Sequence, residues 1–300
     1  MSTDGLVTTG GLVIVDKPGG MTSHDVVSRL RRITGTRRVG HGGTLDPMAT
    51  GVLVAGVGKA TRLLGHLALS EKEYLATIRL GQATDTCDAE GEVISGAPAG
   101  AVTMDAVRAA MAPLTGEIQQ VPPAVSAVKV AGTRAYRLAR AGTTPVLAPR
   151  AVTVSSFRVL SDRRAGDLLD VDVAVTCSSG TYIRALARDL GEALGVGGHV
   201  AGLRRTRAGS YDLATARSLD QLEAELSLIP LAQAAADAFP SRQLTGEEAR
   251  LLSHGGRLPG SQAAGPGPAA AFAPDGTLIA LVEEKDGQTR PVVVFTPGTN

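Results

Sequence analysis

One carboxylate, Asp46, lies in a run of turn-forming residues at 39–54, VGHGGTLDPMATGVLV. The neighbouring glycines allow positive φ or a close approach of the backbone to a ligand. Pro47 disfavours α geometry at Asp46, so we expect the carboxylate on a loop, beside His41 and ahead of an apolar strand. Composition alone favours a tight turn in which Asp46 bonds its own backbone. The alternative is an active-site carboxylate, and the rest of the chain must decide between the two.

The charged residues are unevenly distributed along a chain whose net charge is only +1. Arginines and lysines without acids occupy Arg29 to Arg38, Val121 to Arg150 and Arg204 to Arg207, whereas acids concentrate in Asp85 to Glu92 and Asp220 to Glu225. This segregation indicates a local surface for a polyanion. A surface on which folding balances the charges in space is the equally weighted alternative.

Several classes of protein are disfavoured by what the chain contains. Cys87 and Cys177 are isolated, without metal spacing or a disulfide framework, which is typical of a reducing cytoplasm. The five histidines form no ligand pattern, and neither a signal peptide nor an apolar run of transmembrane length is present. The Gly-Lys pair at 58–59 lacks the other positions of a phosphate-binding loop. We therefore expect a cytoplasmic protein without a metal.

Short strands and helices alternate without a regular βαβ period, which favours an α+β fold with a mixed, largely antiparallel sheet. Gly11 to Val15 and Val52 to Val57 are predicted as strands, and Leu168 to Thr176 alternates apolar and acidic residues. Thr22, with Asp25 three residues later, predicts a capping box. Thr181 to Leu194 has a helical apolar stripe.

Three hundred residues with 43% hydrophobic content predict two domains. Residues 1–10 are expected to be a disordered leader, and residues 11–239 to form the larger domain. Residues 240–300 would form a small β-rich domain. Shorter predictions are helices at Ala60 to Leu69 and Thr133 to Ala141, and a flexible loop at Pro259 to Ala271.

Five ordered blocks of the sequence resemble the bacterial tRNA pseudouridine-55 synthase (TruB) family. The resemblance covers Gly11 to about Leu226, with a weaker similarity to Pro297. The blocks are Asp16-Lys17-Pro18 with Gly20, Thr22 and Ser23; Gly40-His41 through Gly43-Thr44-Leu45-Asp46-Pro47 and Ala49-Thr50-Gly51; Tyr74 with Leu80-Gly81 and Thr84-Asp85-Thr86; Gly180-Thr181-Tyr182-Ile183-Arg184; and Leu203-Arg204-Arg205.

The resemblance implies that the protein is an isomerase that converts the T-loop uridine at tRNA position 55 to pseudouridine without cofactor or metal. The glycosidic bond breaks, the base turns, and a C–C bond forms through C5. By this match Asp46 is the nucleophile, and Arg184 pairs with it and keeps it ionised. Tyr74 stacks on the target base and takes the C5 proton late in the reaction.

The resemblance also assigns residues that bind the RNA. Tyr182 and Leu203 would line the uracil pocket, and His41 would fill the space left by the flipped nucleotide. The basic segment 121–150 matches an RNA-gripping insertion, and the residues expected to contact phosphates there are Lys129, Arg134, Arg137 and Arg140. The C-terminal unit resembles a PUA RNA-binding domain. The expected partner is the tRNA T-arm, and the protein is expected to be a monomer.

Two other functions remain open from the sequence. A non-catalytic RNA-binding or RNA-folding protein on the same scaffold would use the basic stretches alone. A base-releasing glycosylase would share the nucleophile but leave an abasic site and free uracil. The sequence also leaves open whether Asp46 attacks C6 of the base or C1′ of the ribose.

Overall fold

The computed structural model describes residues 10–126, 129–130, 133–134, 147–260 and 267–297. The strands as far as the basic insertion are β1 Gly11–Lys17, β2 Val39–Gly42, β3 Thr50–Val57, β4 Lys72–Leu80, β5 Ala83–Thr84, β6 Val93–Ser95, β7 Gly116–Gln120, β8 Lys129–Val130 and β9 Thr133–Arg134. Those that follow are β10 Arg150–Ala165, β11 Leu168–Cys177, β12 Gly198–Ala208, β13 Tyr211–Asp212, β14 Ile229–Pro230, β15 Ser241–Gln243, β16 Leu258–Pro259, β17 Ala269–Phe272, β18 Leu278–Lys285 and β19 Gln288–Val294.

The helices lie between these strands. They are α1 Ser23–Thr34, α2 Leu64–Leu67, α3 Met104–Met111, α4 Ile183–Ala193, α5 Leu219–Ala224, α6 Leu231–Ala238 and α7 Gly246–Ser253, with 3-10 turns at Gly58–Arg62 and Ala112–Leu114. No helix of the described ranges is both long and apolar enough to cross a membrane.

A large sheet in the order β14-β1-β3-β12-β4-β11-β10-β7 forms the body of the protein, with β2 and β13 at its side. All of its pairings are antiparallel except that of β12 with β3. A second sheet, β15-β17-β18-β19-β16, is built from the C-terminal residues. The expected α+β fold with a mixed, largely antiparallel sheet is therefore confirmed.

Strands β1 and β3 are buried on both faces, as their continuous apolar sequences predict. Alternate side chains of a strand point to opposite faces. Val13, Val15, Leu53 and Ala55 face the main core under α1 and α4. The alternate residues face a second cluster, which α6 and the C-terminal sheet complete; its members include Leu12, Ile14, Val52, Val54, Ala234, Phe272, Leu281 and Phe295.

Strands β3 and β12, in the middle part of the large sheet, pair in parallel over only two residue pairs, Thr50 with Arg204 and Gly51 with Arg205. Gly51 has φ +100°, and a Cβ there would lie 2.2 Å from the Arg205 carbonyl oxygen. Only glycine permits this approach. The loop that precedes β3 is thereby placed next to β12.

Local signals explain the helices that hold this loop. Thr22 caps α1 as expected: its hydroxyl accepts from the Asp25 N–H at 3.1 Å, and the Asp25 carboxylate accepts from the Thr22 N–H at 2.8 Å. Helix α4 begins at Ile183 and ends at Ala193, within the predicted range, and its apolar stripe is buried.

Three predicted segments differ from the structure. Ala60 to Leu69 is a 3-10 turn followed by the single turn of α2; Gly65, in the middle of the predicted range, lowers the helix propensity of this segment. The predicted helix at Thr133 to Ala141 is wrong at its start, where β9 pairs with β8; only two residues separate these strands, a hairpin spacing. The predicted loop at Pro259 to Ala271 contains the first residues of β17. The leader 1–9 and residues 135–141 lie outside the described residues.

Candidate active site

The loop that carries Asp46 is anchored by Lys17, a lysine with no exposed surface. Its ammonium group donates to the carbonyl oxygens of Pro18 at 2.9 Å, Met21 at 2.6 Å and Pro47 at 3.1 Å. Lys17 thus joins the turn after β1 to the residue that follows Asp46. Burial lowers the pKa of Lys17 from 10.5 to about 8, although the Asp46 carboxylate opposes the shift.

Burial of the Lys17 ammonium makes the stability of the protein depend on pH. Because the pKa of Lys17 is lower in the folded protein than in the unfolded chain, the unfolded state binds more protons between pH 8 and 10.5. Stability therefore rises with pH across this window. We expect the unfolding free energy of wild type to rise relative to that of Lys17→Met by about 3 kcal/mol from pH 7 to 10.5. Urea unfolding of both proteins at each pH measures this difference.

Lys72, whose pKa burial also lowers to about 8, is present in both proteins and cancels in this comparison. A difference that stays constant with pH would contradict the assignment.

Ser23 and Arg205 hold the other side of the loop. The Ser23 hydroxyl accepts from the Leu45 N–H at 2.9 Å and donates to the Leu45 carbonyl at 3.1 Å. The guanidinium of Arg205, 1% exposed, donates to the carbonyls of Val52 at 2.6 Å and Gly43 at 3.0 Å. Asp46 therefore lies on a loop whose backbone is fixed from several directions, which favours a preorganised site.

Arg184, in the first turn of α4, is the direct partner of Asp46. Its Nε lies 2.9 Å from Asp46 Oδ2, and its side chain is 5% exposed, compared with 33% for Asp46. The Nε–H has no aligned hydrogen-bond acceptor among the described residues, so the contact is an ion pair rather than a directional hydrogen bond. One carboxylate thus faces the pocket while its counter-charge is buried behind it.

A second carboxylate, Asp88, holds the far side of Arg184. Asp88 Oδ2 lies 3.3 Å from Arg184 Nη1, and Asp88 Oδ1 accepts from the Thr86 hydroxyl at 2.6 Å. The guanidinium also donates to the carbonyls of Thr86 and Val125, each at 2.9 Å. These contacts fix the plane of the guanidinium, because its donors have a rigid fork geometry.

Asp46 and Arg184 lie in a cavity of about 250 Å³ between the loop, β4, β12 and the start of α4. The predicted residues Tyr74, Tyr182 and Leu203 also line it. Tyr74 lies on β4 between Arg205 and Val175 of the neighbouring strands. The cavity therefore combines a carboxylate, a guanidinium and two phenol rings, which suits a planar polar base.

Burial raises the pKa of both pocket tyrosines. At Tyr74 the neighbouring Arg205 guanidinium favours the phenolate and opposes the effect of burial. At Tyr182 the Arg150 charge and the Ser126 hydroxyl oppose it. Tyr74 consequently holds its proton at neutral pH, with a buried cation beside it.

His41 is predicted next to Asp46 but lies on β2, opposite Ala55 of β3. Its ring makes an edge contact with His24, with centroids 5.5 Å apart. Among the described residues that line the cavity, the loop contributes from Gly43 onward, so His41 is not part of the lining. Gly43 has φ +87°, as the turn requires.

The four predicted phosphate contacts belong to the basic insertion. Lys129 lies on β8 and Arg134 on β9, which pair with each other directly. Arg137 and Arg140 lie outside the described residues.

Several other arginines of the basic stretches have acidic or carbonyl partners. Arg29 pairs with Asp220 at 2.9 Å and with Glu223 at 2.5 Å. In the third stretch Arg204 pairs with Asp16 at 2.7 Å, and Arg207 pairs with Glu71 and Glu73. Balanced charge is therefore the better description of these positions, because folding brings sequence-distant acids next to them. No grouping of His, Cys, Asp and Glu in the described part of the chain could hold a metal ion.

Three residues of the site were not predicted as functional from the sequence: Lys17, Asp88 and Arg205. Lys17 and Arg205 belong to two of the blocks that carry the family resemblance, but nothing in their neighbours indicates burial. Asp88 stands in an acidic loop that reads as solvent-exposed.

Models of known families match nearly the whole chain. Residues 31–183 match the "TruB family pseudouridylate synthase (N terminal domain)". The chain belongs to the TruB family. Residues 184–234 match "tRNA pseudouridylate synthase B C-terminal domain", and residues 239–296 match "tRNA Pseudouridine synthase II, C terminal".

Individual relatives and solved structures agree with the family. The chain is 61% identical to the tRNA pseudouridine synthase B of Thermobifida fusca over 289 residues, 95% of this chain and 98% of the relative. It is 58% identical to that of an Arthrobacter species, over 96% and 97% of the two chains. A chain of a solved Cbf5-Nop10-Gar1 complex superposes with a TM-score of 0.76 at 28% identity, covering 99% of this chain and 88% of that one.

Proposed function

We propose that this protein isomerises a uridine of tRNA to pseudouridine, and that the uridine is the T-loop residue at position 55. The observation that carries the proposal is the Asp46–Arg184 ion pair, 2.9 Å apart, in a pocket shared with Tyr74. Membership of the TruB family and relatives named tRNA pseudouridine synthase B support the reaction class.

Asp46 is the proposed nucleophile. Its carboxylate is one-third exposed toward the pocket, so a substrate atom can reach it, whereas Arg184 is almost fully buried. An ionised and lightly hydrated carboxylate is the reactive form. The guanidinium stabilises the anion without a directional bond at Nε, and the carboxylate remains able to turn toward C6 or C1′.

Tyr74 is the proposed stacking partner of the base and the acceptor of the C5 proton. Burial keeps Tyr74 a neutral phenol, so it must first pass its own O–H proton to an oxygen of the base or to water. The neighbouring Arg205 favours the phenolate that results, and this phenolate then takes the C5 proton and returns to the neutral phenol. Because both C1′ and C5 must be accessible, the base has to leave its stack. His41, on the strand that leads into the Asp46 loop, is proposed to fill the vacated space.

Tritium release from tRNA labelled at C5 of uridine tests the reaction. Formation of the C–C bond through C5 expels that hydrogen, so wild-type protein should release one equivalent per modified site, with the uracil still attached to the RNA. Free uracil and an abasic site would indicate the glycosylase instead. Folded protein that binds tRNA but releases no tritium would favour the non-catalytic RNA-binding function.

Binding of the T-arm is expected to weaken steeply with salt, because Asp46 approaches a polyanion and lysines and arginines must compensate. The logarithm of the association constant should fall linearly with the logarithm of salt concentration between about 50 and 200 mM. Arg134→Gln should reduce this slope by about one unit, as measured by fluorescence titration.

Arg29→Gln is the matched control for this experiment, since Asp220 and Glu223 already neutralise Arg29. Equal slopes in the two variants would argue against a phosphate contact at Arg134.

The same proposal includes the organisation of the chain. Residues 11–239 would form the catalytic domain, 121–150 its RNA-gripping insertion, and 240–300 a PUA-like domain that binds RNA. The protein would act in the cytoplasm as a monomer on the T-arm, without cofactor or metal.

A further inference from the structure

Gln120, the last residue of β7, is only 2% exposed. Its side-chain amide forms two hydrogen bonds with the main chain of Tyr182. The Tyr182 N–H donates to Oε1 at 2.8 Å, and Nε2 donates to the Tyr182 carbonyl at 3.1 Å. Because Tyr182 immediately precedes α4, this amide joins the end of a strand to the start of the helix that carries Arg184.

Two more bonds fasten the same segments together. Arg184 Nη2 donates to the Val125 carbonyl and Arg188 Nη2 to the Val121 carbonyl, each at 2.9 Å. The chain from Gln120 to Val125 is thus attached to the first two turns of α4. The position of this helix start depends on residues more than fifty positions earlier in the sequence.

The two bonds of Gln120 are not equivalent. Tyr182 is the N-cap residue of α4, and its side chain makes no capping hydrogen bond. Its N–H donates to Oε1 of Gln120. The Tyr182 carbonyl accepts from Gln120 but also from the N–H groups of Ala185 at 3.1 Å and Leu186 at 3.2 Å. Loss of the Oε1 acceptor would leave an N–H unpaired, whereas loss of the Nε2 donor would leave the carbonyl satisfied.

We propose that Gln120 is a positioning residue for the isomerisation, an inference that rests on the proposed function. Gln120 is not among the described residues that line the catalytic cavity. It acts through the Tyr182 peptide, which sets where the Tyr182 ring enters the cavity and where Arg184 meets Asp46. Small displacements matter here, because a shift of about 1 Å in a reacting group can slow catalysis about a hundredfold.

The test compares Gln120→Met, which has similar length but neither bond, with Gln120→Glu. The glutamate keeps the acceptor for the Tyr182 N–H but replaces the Nε2 donor by a carboxylate oxygen that repels the Tyr182 carbonyl, so it should displace the Tyr182 peptide in part. Gln119→Met is the matched control, because Gln119 precedes Gln120 on the same strand and is exposed. Each variant is assayed by tritium release in single turnovers with enzyme in excess. We expect the saturating rate of Gln120→Met to fall roughly ten- to a hundredfold, with Gln120→Glu intermediate and the control at the wild-type rate.

A purely structural role would give a different pattern. Partial unfolding lowers the concentration of competent enzyme and so raises the enzyme concentration needed for half-saturation, but it leaves the saturating rate unchanged. That pattern, or a wild-type rate in Gln120→Met, overturns the proposal. If Gln120→Met does not fold, a wild-type rate in Gln120→Glu overturns it. An inactive wild type would instead contradict the proposed function.

Discussion

Asp46→Asn is expected to abolish tritium release from C5-labelled tRNA while tRNA binding is retained. The amide has the same shape as the carboxylate but is not nucleophilic, so the first covalent step fails. Folding should survive, because Arg184 keeps Asp88 and two carbonyl oxygens as partners. Binding should be equal or tighter, since the substitution removes a negative charge that faces a polyanion. Single-turnover tritium release and a filter-binding titration measure the two effects on one preparation.

Asp220→Asn provides the control for this variant. Asp220 also lies beside an arginine, Arg29 at 2.9 Å, but on the exposed surface of α5. It should isomerise tRNA at the wild-type rate. An Asp46→Asn protein that releases tritium would remove Asp46 from the proposed mechanism, whatever its affinity for tRNA.

Replacing Arg184 is expected to damage both catalysis and stability. Arg184→Met leaves Asp88 buried without its counter-charge, a loss of roughly 3–5 kcal/mol in unfolding free energy. The saturating rate should fall at least a hundredfold, since Asp46 loses its only described ion-pair partner. Arg184→Lys restores the charge but has a single ammonium group, which cannot reach two carboxylates and two carbonyls together. It should recover part of the stability and little of the rate.

Urea unfolding and single-turnover kinetics separate these outcomes. Arg108→Met is the control, because Arg108 pairs with Asp105 on the exposed side of α3. A wild-type rate in Arg184→Lys would mean that charge, and not the geometry of the guanidinium, is what the site requires.

The fold was largely predictable where one local rule acts alone. The capping box at Thr22, the alternation in β11 and the apolar stripe of α4 are set by neighbours within a few residues. The order of strands was not predictable, because it depends on long-range contacts such as the Gly51 approach to Arg205. The helix predicted from Ala60 is shorter in the structure, where Gly65 in the middle of the predicted range lowers the helix propensity.

The residues of the site were likewise predictable where a sequence motif marks them, and not where their environment depends on distant parts of the chain. Asp46, Tyr74, Tyr182, Leu203 and Arg184 were proposed from motifs, and the structure brings all five to one cavity. Charge pairing could not be predicted from the sequence. The arginines at 204 and 207 were expected to be available for RNA, but in the structure they form ion pairs with Asp16 of β1 and with Glu71 and Glu73. Burial of Lys17 likewise depends in part on the loop at Pro47, which is distant in sequence.

The apolar cluster shared by β1, β3 and the C-terminal strands has a consequence for experiments that truncate the chain. Deleting the residues after Pro240 would remove Phe272, Leu281 and Phe295 from their cluster with Leu12 and Ile14 and expose a hydrophobic face on the large sheet. The shortened protein should aggregate or unfold more readily, and its loss of activity would not measure the contribution of the C-terminal unit to RNA affinity. Heating the intact chain should melt both units in one cooperative transition.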